Sequence, residues 1–202
     1  MFETANVPLK YRYMFDSLEK NTVFVDCGTN VGLITDIALF VGMEVYAFEP
    51  NISAFKLLKR KYANTTNVHL YQKAVSDTNE QLTFYVNEKS LYDQGATIVS
   101  SGEKFIYEDK NSYLVDSVRL SEVLKKDILS QHKKIHLLKL DVEGAEFAII
   151  EDLIISGVYK EISYIVCETH ERFFGKAGTK KIKHLHNLIH KHHIENIFLD
   201  WI

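Results

Sequence analysis

The sequence predicts an α/β fold, a single doubly wound, mostly parallel sheet with helices on both faces, read as one domain over residues 1–202. Three observations predict it. Strand-length apolar runs alternate with helix-period segments from Val23 onward, the pattern of right-handed βαβ units. A glycine turn, Gly28 to Gly32, follows the first run, where such sheets receive ligands beyond their strand ends. The composition is 46% hydrophobic and 25% charged, with two prolines and no Ser/Gly-rich linker, which suits one core rather than a disordered or multidomain chain.

In order, residues 8–20 form a cover helix, in which Tyr11, Arg12 and Tyr13 pack on the domain or close its site through Arg12. Val23 to Cys27 is a buried strand. Leu33, Ile34, Ile37, Ala38 and Val41 recur at helical spacing, closed by Gly42. Val45 to Phe48 is a second buried strand ending at Glu49-Pro50, and Ser53 to Tyr62 is an amphipathic helix. Val68 to Val75 reads as a third strand and Gln81 to Val86 as a half-exposed one. An irregular excursion covers about 87–112, of a length that marks either a binding loop or an insertion. Ile135 to Leu140 is a strand ending at Asp141, Ala145 to Ile155 a helix, and Ser163 to Cys167 a strand ending at Glu168-Thr169-His170. A basic helix near Thr179 to His193 and a strand candidate from Ile194 to Leu199 complete the chain.

Several function classes fall away. With 24 Lys+Arg against 27 Asp+Glu, a net charge of −3, the chain does not grip nucleic acid by bulk charge. Cys27 and Cys167 sit in apolar runs, which is no disulfide framework. Met1 to Lys10 lacks the apolar stretch of a signal peptide, and no run approaches the ~18 apolar residues of a membrane span. The expectation is a soluble, cytoplasmic protein without a transmembrane segment.

The first turn discriminates among nucleotide cofactors. A dinucleotide fingerprint starting at Gly28 requires glycine where Asn30 and Leu33 stand, so pyrophosphate would meet side chains in place of bare backbone. No phosphate-cradling Gly-x-x-x-x-Gly-Lys-Ser/Thr occurs either. Asp26, at the tip of the first strand, repels phosphate and suits a ligand carrying an ammonium and a sulfonium. Glu49, ending the second strand, can accept hydrogen bonds from both hydroxyls of a ribose. These features resemble the S-adenosylmethionine site of Rossmann-like methyltransferases.

The motif set Val25-Asp26-Cys27-Gly28-Thr29-Asn30-Val31-Gly32, Ala47-Phe48-Glu49-Pro50, Ala74-Val75-Ser76-Asp77 and Lys139-Leu140-Asp141-Val142-Glu143-Gly144-Ala145-Glu146 resembles the FkbM-type S-adenosylmethionine-dependent methyltransferases, of the Rossmann-like class I fold. Cys167-Glu168-Thr169-His170 is similar to that family's closing strand end, and the resemblance covers roughly residues 22–172. It implies O-methylation, most often of a hydroxyl on a sugar or glycoside. It implies that Asp26, Cys27, Gly28, Thr29, Asn30 and Gly32 line the methionine moiety, that Glu49 and Pro50 hold the ribose, and that Ala74 and Val75 lie near the adenine. The chain departs from the family at Leu120-Ser121, where a Leu-Asp pair is usual. It departs again at its carboxyl end, with one strand candidate after the basic helix in place of an antiparallel pair.

Methyl transfer needs an acceptor oxygen held in line with the methyl at about 3–3.5 Å and a base to take its proton. Asp141, Glu168 and His170 end two strands that converge on this point. His170 is the expected base, since an ordinary imidazole has a pKa of ~6.5; Asp141 can do the same work, bind the cofactor or hold an acceptor hydroxyl. Glu143 faces either the site or the backbone N–H groups of the helix after Gly144. Asp141, Glu168 and His170 also suit a hard divalent metal, which this reading does not require. On the basic helix, His186, His190 and His193 have ligand-compatible spacing but no completing Cys or carboxylate, and with Lys180, Lys181, Lys183 and Lys191 they read as a solvated face.

The acceptor is expected to be a sugar or glycoside, flanked by Tyr92, Gln94 and Thr97 of the excursion, with Phe173 and Phe174 stacking on it or filling core. Two alternatives stand beside this reading. One is a methyltransferase for another small-molecule or lipid-linked acceptor, and the other is a catalytically silent cofactor-fold module that binds a partner.

Overall fold

The computed structural model describes residues 7–16, 22–87 and 110–201. Six strands form a parallel sheet in the order β3-β2-β1-β7-β8-β9: β1 (Val23–Cys27), β2 (Glu44–Phe48), β3 (Val68–Tyr71), β7 (Ile135–Leu140), β8 (Ile162–Cys167) and β9 (Ile197–Phe198). Every pairing among them is parallel. The order reverses between β1 and β7, so the switch point lies between the tips carrying Asp26 and Asp141. An α/β, Rossmann-like architecture results, as the alternation of apolar runs predicts.

Helices α1 (Leu33–Phe40), α2 (Ile52–Lys61), α4 (Glu146–Ser156) and α5 (Lys176–Lys191) connect these strands or pack on them. Apolar residues of the strands divide between two faces. Val25, Cys27, Phe48, Leu138 and Leu140 pack with Phe147, Ile150 and Leu153 of α4, while Phe24, Val45, Ala47 and Leu137 pack with Ile34 and Ala38 of α1. Alternate side chains of one strand thus enter opposite cores, the reason these strands read as unbroken apolar runs.

Three strands form a second sheet, β4-β6-β5. It contains β4 (Ala74–Ser76), β5 (Gln81–Asn87) and β6 (Lys110–Arg119), with β4 parallel and β5 antiparallel to β6. The single third strand expected over Val68 to Val75 is therefore two. The chain leaves the main sheet at Gln72-Lys73, and Ala74 packs with Phe84 and Val115 of the second sheet. Periodicity cannot detect a change of sheet, because both halves remain extended. Strand β6 falls partly within the expected excursion; its polar start, Lys110-Asn111-Ser112, hides a ten-residue strand whose pairing with β5 is nonlocal. Residues 88–109, with Tyr92, Gln94 and Thr97, lie outside the described residues.

The expected N-terminal cover helix is a short 3-10 turn over Leu9–Phe15. Tyr11 stacks on Trp201 at 5.6 Å between ring centroids and hydrogen-bonds Asp200, so this segment packs on the carboxyl end, and the Arg12 Nε–H donates to the Val7 carbonyl at 3.4 Å. The last strand is two residues long and parallel to β8. Among the described residues no helix is long and apolar enough to cross a membrane.

Candidate active site

Gly28 begins the turn after β1 with φ +80°, and a Cβ there would stand 1.8 Å from the Asp141 carbonyl oxygen. Only glycine allows the tips of β1 and β7 to approach this closely. The turn is further held by Gly28 and Thr29 N–H groups, which donate to the Phe48 carbonyl at 3.0 and 3.1 Å, and by the Thr29 hydroxyl, which donates to the Asp26 carbonyl at 2.9 Å. Tyr62, at the end of α2, donates to the Gly32 carbonyl at 3.0 Å, and Lys61 donates to the Val31 carbonyl at 3.0 Å. The turn is thus clamped by three elements. Cys27 adds backbone only, its thiol lying in the core with Phe48 and Leu140.

Glu49 follows β2 and is buried. Its Oε2 accepts from the Asn30 N–H and its Oε1 from the Asn51 N–H, each at 2.7 Å. Asn51 in turn caps α2 by accepting from the Ser53 and Ala54 N–H groups. Pro50 is half-buried beside it. Burial pushes the Glu49 carboxyl up to about 7, and the Asn51 and Asn30 N–H groups restrain the rise. Between the ordinary value of 4.5 and about 7 the folded chain holds a proton that the unfolded chain has released, so stability falls as pH rises through this window. The full shift corresponds to about 3 kcal/mol. The melting temperature of Glu49→Gln relative to the parent is therefore expected to rise by several degrees between pH 4.5 and 8. A pH-independent difference, measured by calorimetry, would refute the shift.

Ala74 and Val75 are buried in β4. Ala74 faces the second sheet and Val75 the core shared with Cys27, Phe48 and Leu140. The second sheet also reaches the α2 start, where the Tyr113 hydroxyl accepts from the Ile52 N–H at 3.1 Å.

Asp26 is 1% exposed. Its Oδ2 accepts from the Thr35 hydroxyl at 2.7 Å, tying α1 to β1. Its Oδ1 lies 3.4 Å from Lys139 Nζ and lacks a hydrogen bond, as does the buried Oδ1 of Asn30. Lys139, 4% exposed, also lies 3.3 Å from Asp141 Oδ2 and donates to the Gly28 carbonyl at 3.2 Å. Burial opposes its charge, but Asp141 and Asp26 outweigh burial and hold the ammonium above the ordinary lysine range. Sequence reasoning assigned Lys139 no role. The available signal was a lysine inside an apolar strand, a residue type that is almost never fully buried unless paired.

His170 is wholly buried. Its Nδ1 lies 2.7 Å from Glu146 Oε1. Its Nε2 stands 3.2 Å from Glu143 Oε2, 3.5 Å from Glu168 Oε1 and 3.9 Å from Asp141 Oδ1. The ligand atoms of Asp141, Glu168 and His170 come within 4.8 Å of one another. Burial disfavours the charged imidazole, yet Glu143 and Glu146 outweigh it and push His170 up to about 10. That shift runs against the neutral imidazole that a base requires. Of its two expected orientations, Glu143 takes the one that faces the site. Glu143, with φ +58°, turns toward His170, and Glu146 instead accepts from the Val142 and Gly144 N–H groups at 3.1 and 2.8 Å. Glu146 received no role from sequence, although it lies on the apolar stripe of α4 with Ile149, Ile150 and Leu153.

This constellation, from the β1 tip to the β8 tip, coincides with a known family. A family model for the methyltransferase FkbM domain matches residues 26–195. The chain belongs to the FkbM methyltransferase family. It is also 27% identical over 156 residues to Methyltransferase 1 of Beauveria bassiana (strain ARSEF 2860), an overlap of 66% of this chain and 59% of that protein. The chain thus spans about three-fifths of the length of that curated relative.

In this member of the FkbM methyltransferase family the departure at Leu120-Ser121 falls on the first turn of α3 (Leu120–Val123), where both residues are buried. Ser121 faces Asp152 of α4, which also binds Arg119. Phe174 packs edge-on against Phe147 at 5.7 Å, and Phe173 lies 5.0 Å from the His170 ring. The histidines of α5 at 186 and 190 are exposed, and among the described residues the one group spaced for a metal is Asp141, Glu168 and His170.

Proposed function

We propose that this methyltransferase moves the methyl group of S-adenosylmethionine to a hydroxyl oxygen of a sugar in a glycan or glycoside. The observation that carries the cofactor assignment is Glu49, buried at the β2 tip with each oxygen oriented by a backbone N–H and with acceptor capacity left for a ribose diol. The Oδ1 atoms of Asp26 and Asn30, neither of which has a hydrogen bond, fit the same ligand, since both can accept from a donor and neither suits phosphate.

When bound, the cofactor supplies a methyl carbon activated by a sulfonium. The acceptor oxygen forms the new bond to this carbon, the carbon–sulfur bond breaks with its electron pair going to sulfur, and the hydroxyl proton passes to the enzyme. Glu168 takes that proton in this scheme. Asp141 is held by Lys139 at 3.3 Å, whereas among the described residues the Lys or Arg nearest Glu168 is Arg172 at 3.9 Å. His170 faces both carboxylates and holds them together. A polar acceptor rich in hydroxyls suits this strand-end cluster, and this favours a saccharide over an apolar acceptor.

Calorimetry with S-adenosylhomocysteine, beside NAD, tests the reading. At 100 times its dissociation constant a ligand adds ~2.7 kcal/mol, and each kcal/mol raises the melting temperature of a chain this size by ~2–4 °C. A rise of several degrees is expected with S-adenosylhomocysteine and not with NAD, and its loss is expected in Glu49→Ala. Because the ribose requires an ionised Glu49, affinity is expected to drop about ten-fold from pH 8 to pH 6. No response to S-adenosylhomocysteine at either pH would reject the assignment and favour a silent binding module.

A further inference from the structure

Around the His170 imidazole stand four carboxylates, Asp141, Glu143, Glu146 and Glu168. Glu146, wholly buried, faces Nδ1 and is itself fixed by the Val142 and Gly144 N–H groups. A carboxylate behind Nδ1 sets the ring orientation and directs Nε2 away from it, the arrangement by which proteins aim an imidazole at a metal. That Nε2 is buried and lacks a hydrogen bond, although three carboxylates lie within 4 Å of it. A buried ring nitrogen that faces three carboxylates and hydrogen-bonds none of them points to a ligand held between them.

The surroundings of this atom have the dimensions of an ion site. The ligand atoms of Asp141, Glu168 and His170 all lie within 4.8 Å of one another, and two ligands on one divalent ion are at most roughly 4–5 Å apart. The nearby cationic groups do not balance the acidic ones. Lys139 also pairs with Asp26, and the Arg172 guanidinium stands 3.9 Å from Glu168. Asp141 and Glu168 are partly open, at 26% and 18% side-chain exposure, whereas His170 closes the rear.

We propose that Asp141, Glu168 and Nε2 of His170 form a divalent-cation site, with Glu146 as the positioning residue behind the imidazole. Two carboxylates and one imidazole, without thiolate, suit an ion that accepts both oxygen and nitrogen, and Mn²⁺ is the natural probe. A bound ion replaces the proton that the surrounding carboxylates hold on the imidazole, and three protein ligands leave coordination positions open toward the partly exposed side. Resting on the methyl-transfer reading above, these positions take two neighbouring hydroxyls of the acceptor and present one of them to the methyl group. A cation would then select acceptors with a vicinal diol over those with a lone hydroxyl. Glu168 can ligate through one oxygen and accept the proton on the other.

The test uses the full chain stripped with a chelator, without cofactor or acceptor. Mn²⁺ binding is followed by the loss of the free-ion electron paramagnetic resonance signal. One Mn²⁺ per chain is expected, with affinity reduced at least about ten-fold in Asp141→Asn and Glu168→Gln and about 10–100-fold in Glu146→Gln. Glu168→Gln is partly exposed and isosteric, and its fold is checked by circular dichroism. Absence of binding up to about 1 mM, or equal binding by parent, Asp141→Asn and Glu168→Gln, overturns the site. S-adenosylhomocysteine calorimetry on the same preparation separates the two proposals. A chain that binds S-adenosylhomocysteine but no Mn²⁺ loses only the cation site, and one that binds Mn²⁺ alone keeps it and loses the cofactor assignment.

Discussion

Lys139→Met is expected to lower stability by ~3–5 kcal/mol, because it leaves the buried Asp26, and beside it the partly open Asp141, without their cation. Both contacts are close, 3.4 Å to Asp26 and 3.3 Å to Asp141, and Lys139 and Asp26 are 4% and 1% exposed. At ~2–4 °C per kcal/mol this amounts to roughly 6–20 °C in melting temperature. Asp26→Asn introduced with Lys139→Met removes the stranded charge and is expected to recover part of the loss. The double-mutant cycle by calorimetry decides the matter. A single variant that melts within 2 °C of the parent (about 1 kcal/mol or less), or a double variant no better than the single, would mean that the buried charges are not coupled.

Gly28→Ala is expected to separate the tips of β1 and β7 and to abolish cofactor binding. Two costs act at this position, a positive φ and a Cβ 1.8 Å from the Asp141 carbonyl. Gly42 isolates the first, since its φ is +88° and nothing lies within 4 Å of a Cβ there. Gly42→Ala should therefore cost only ~1–2 kcal/mol for the left-handed backbone, with cofactor affinity unchanged. Gly28→Ala should cost a further ~1–3 kcal/mol or more for overpacking against backbone that cannot rotate away. Equal losses in the two variants, by urea unfolding and S-adenosylhomocysteine titration, would show that the close approach of the strand tips does not matter.

What could be read from the chain differs between its two halves for a physical reason. Strands β1, β2, β7 and β8 are covered on both faces, so they appear as short continuous apolar runs that periodicity finds to within a residue or two. The second sheet is mostly half-buried and depends on the pairing of β5 with β6 across a long connection, and nothing local in Lys110 to Tyr113 announces it. In the same way, Asp26, Glu49, Asp141, Glu168 and His170 stood out because each ends an apolar run. Lys139, Thr35 and Glu146 lie inside strands or helices, where their role depends on what the neighbouring element brings to them.

By itself the sequence determined the α/β class and the glycine turn after the first strand, because both depend on local patterns of burial and backbone freedom, while its motifs carried the resemblance to the family to which the chain belongs. The tertiary structure alone decided the protonation and pairing of the charged groups. Glu49 is pushed up to about 7 by burial, and His170 up to about 10 by Glu143 and Glu146 against the opposing effect of burial. These properties arise from desolvation and from carboxylates brought together across separate elements, and no spacing along the chain encodes the distance between them.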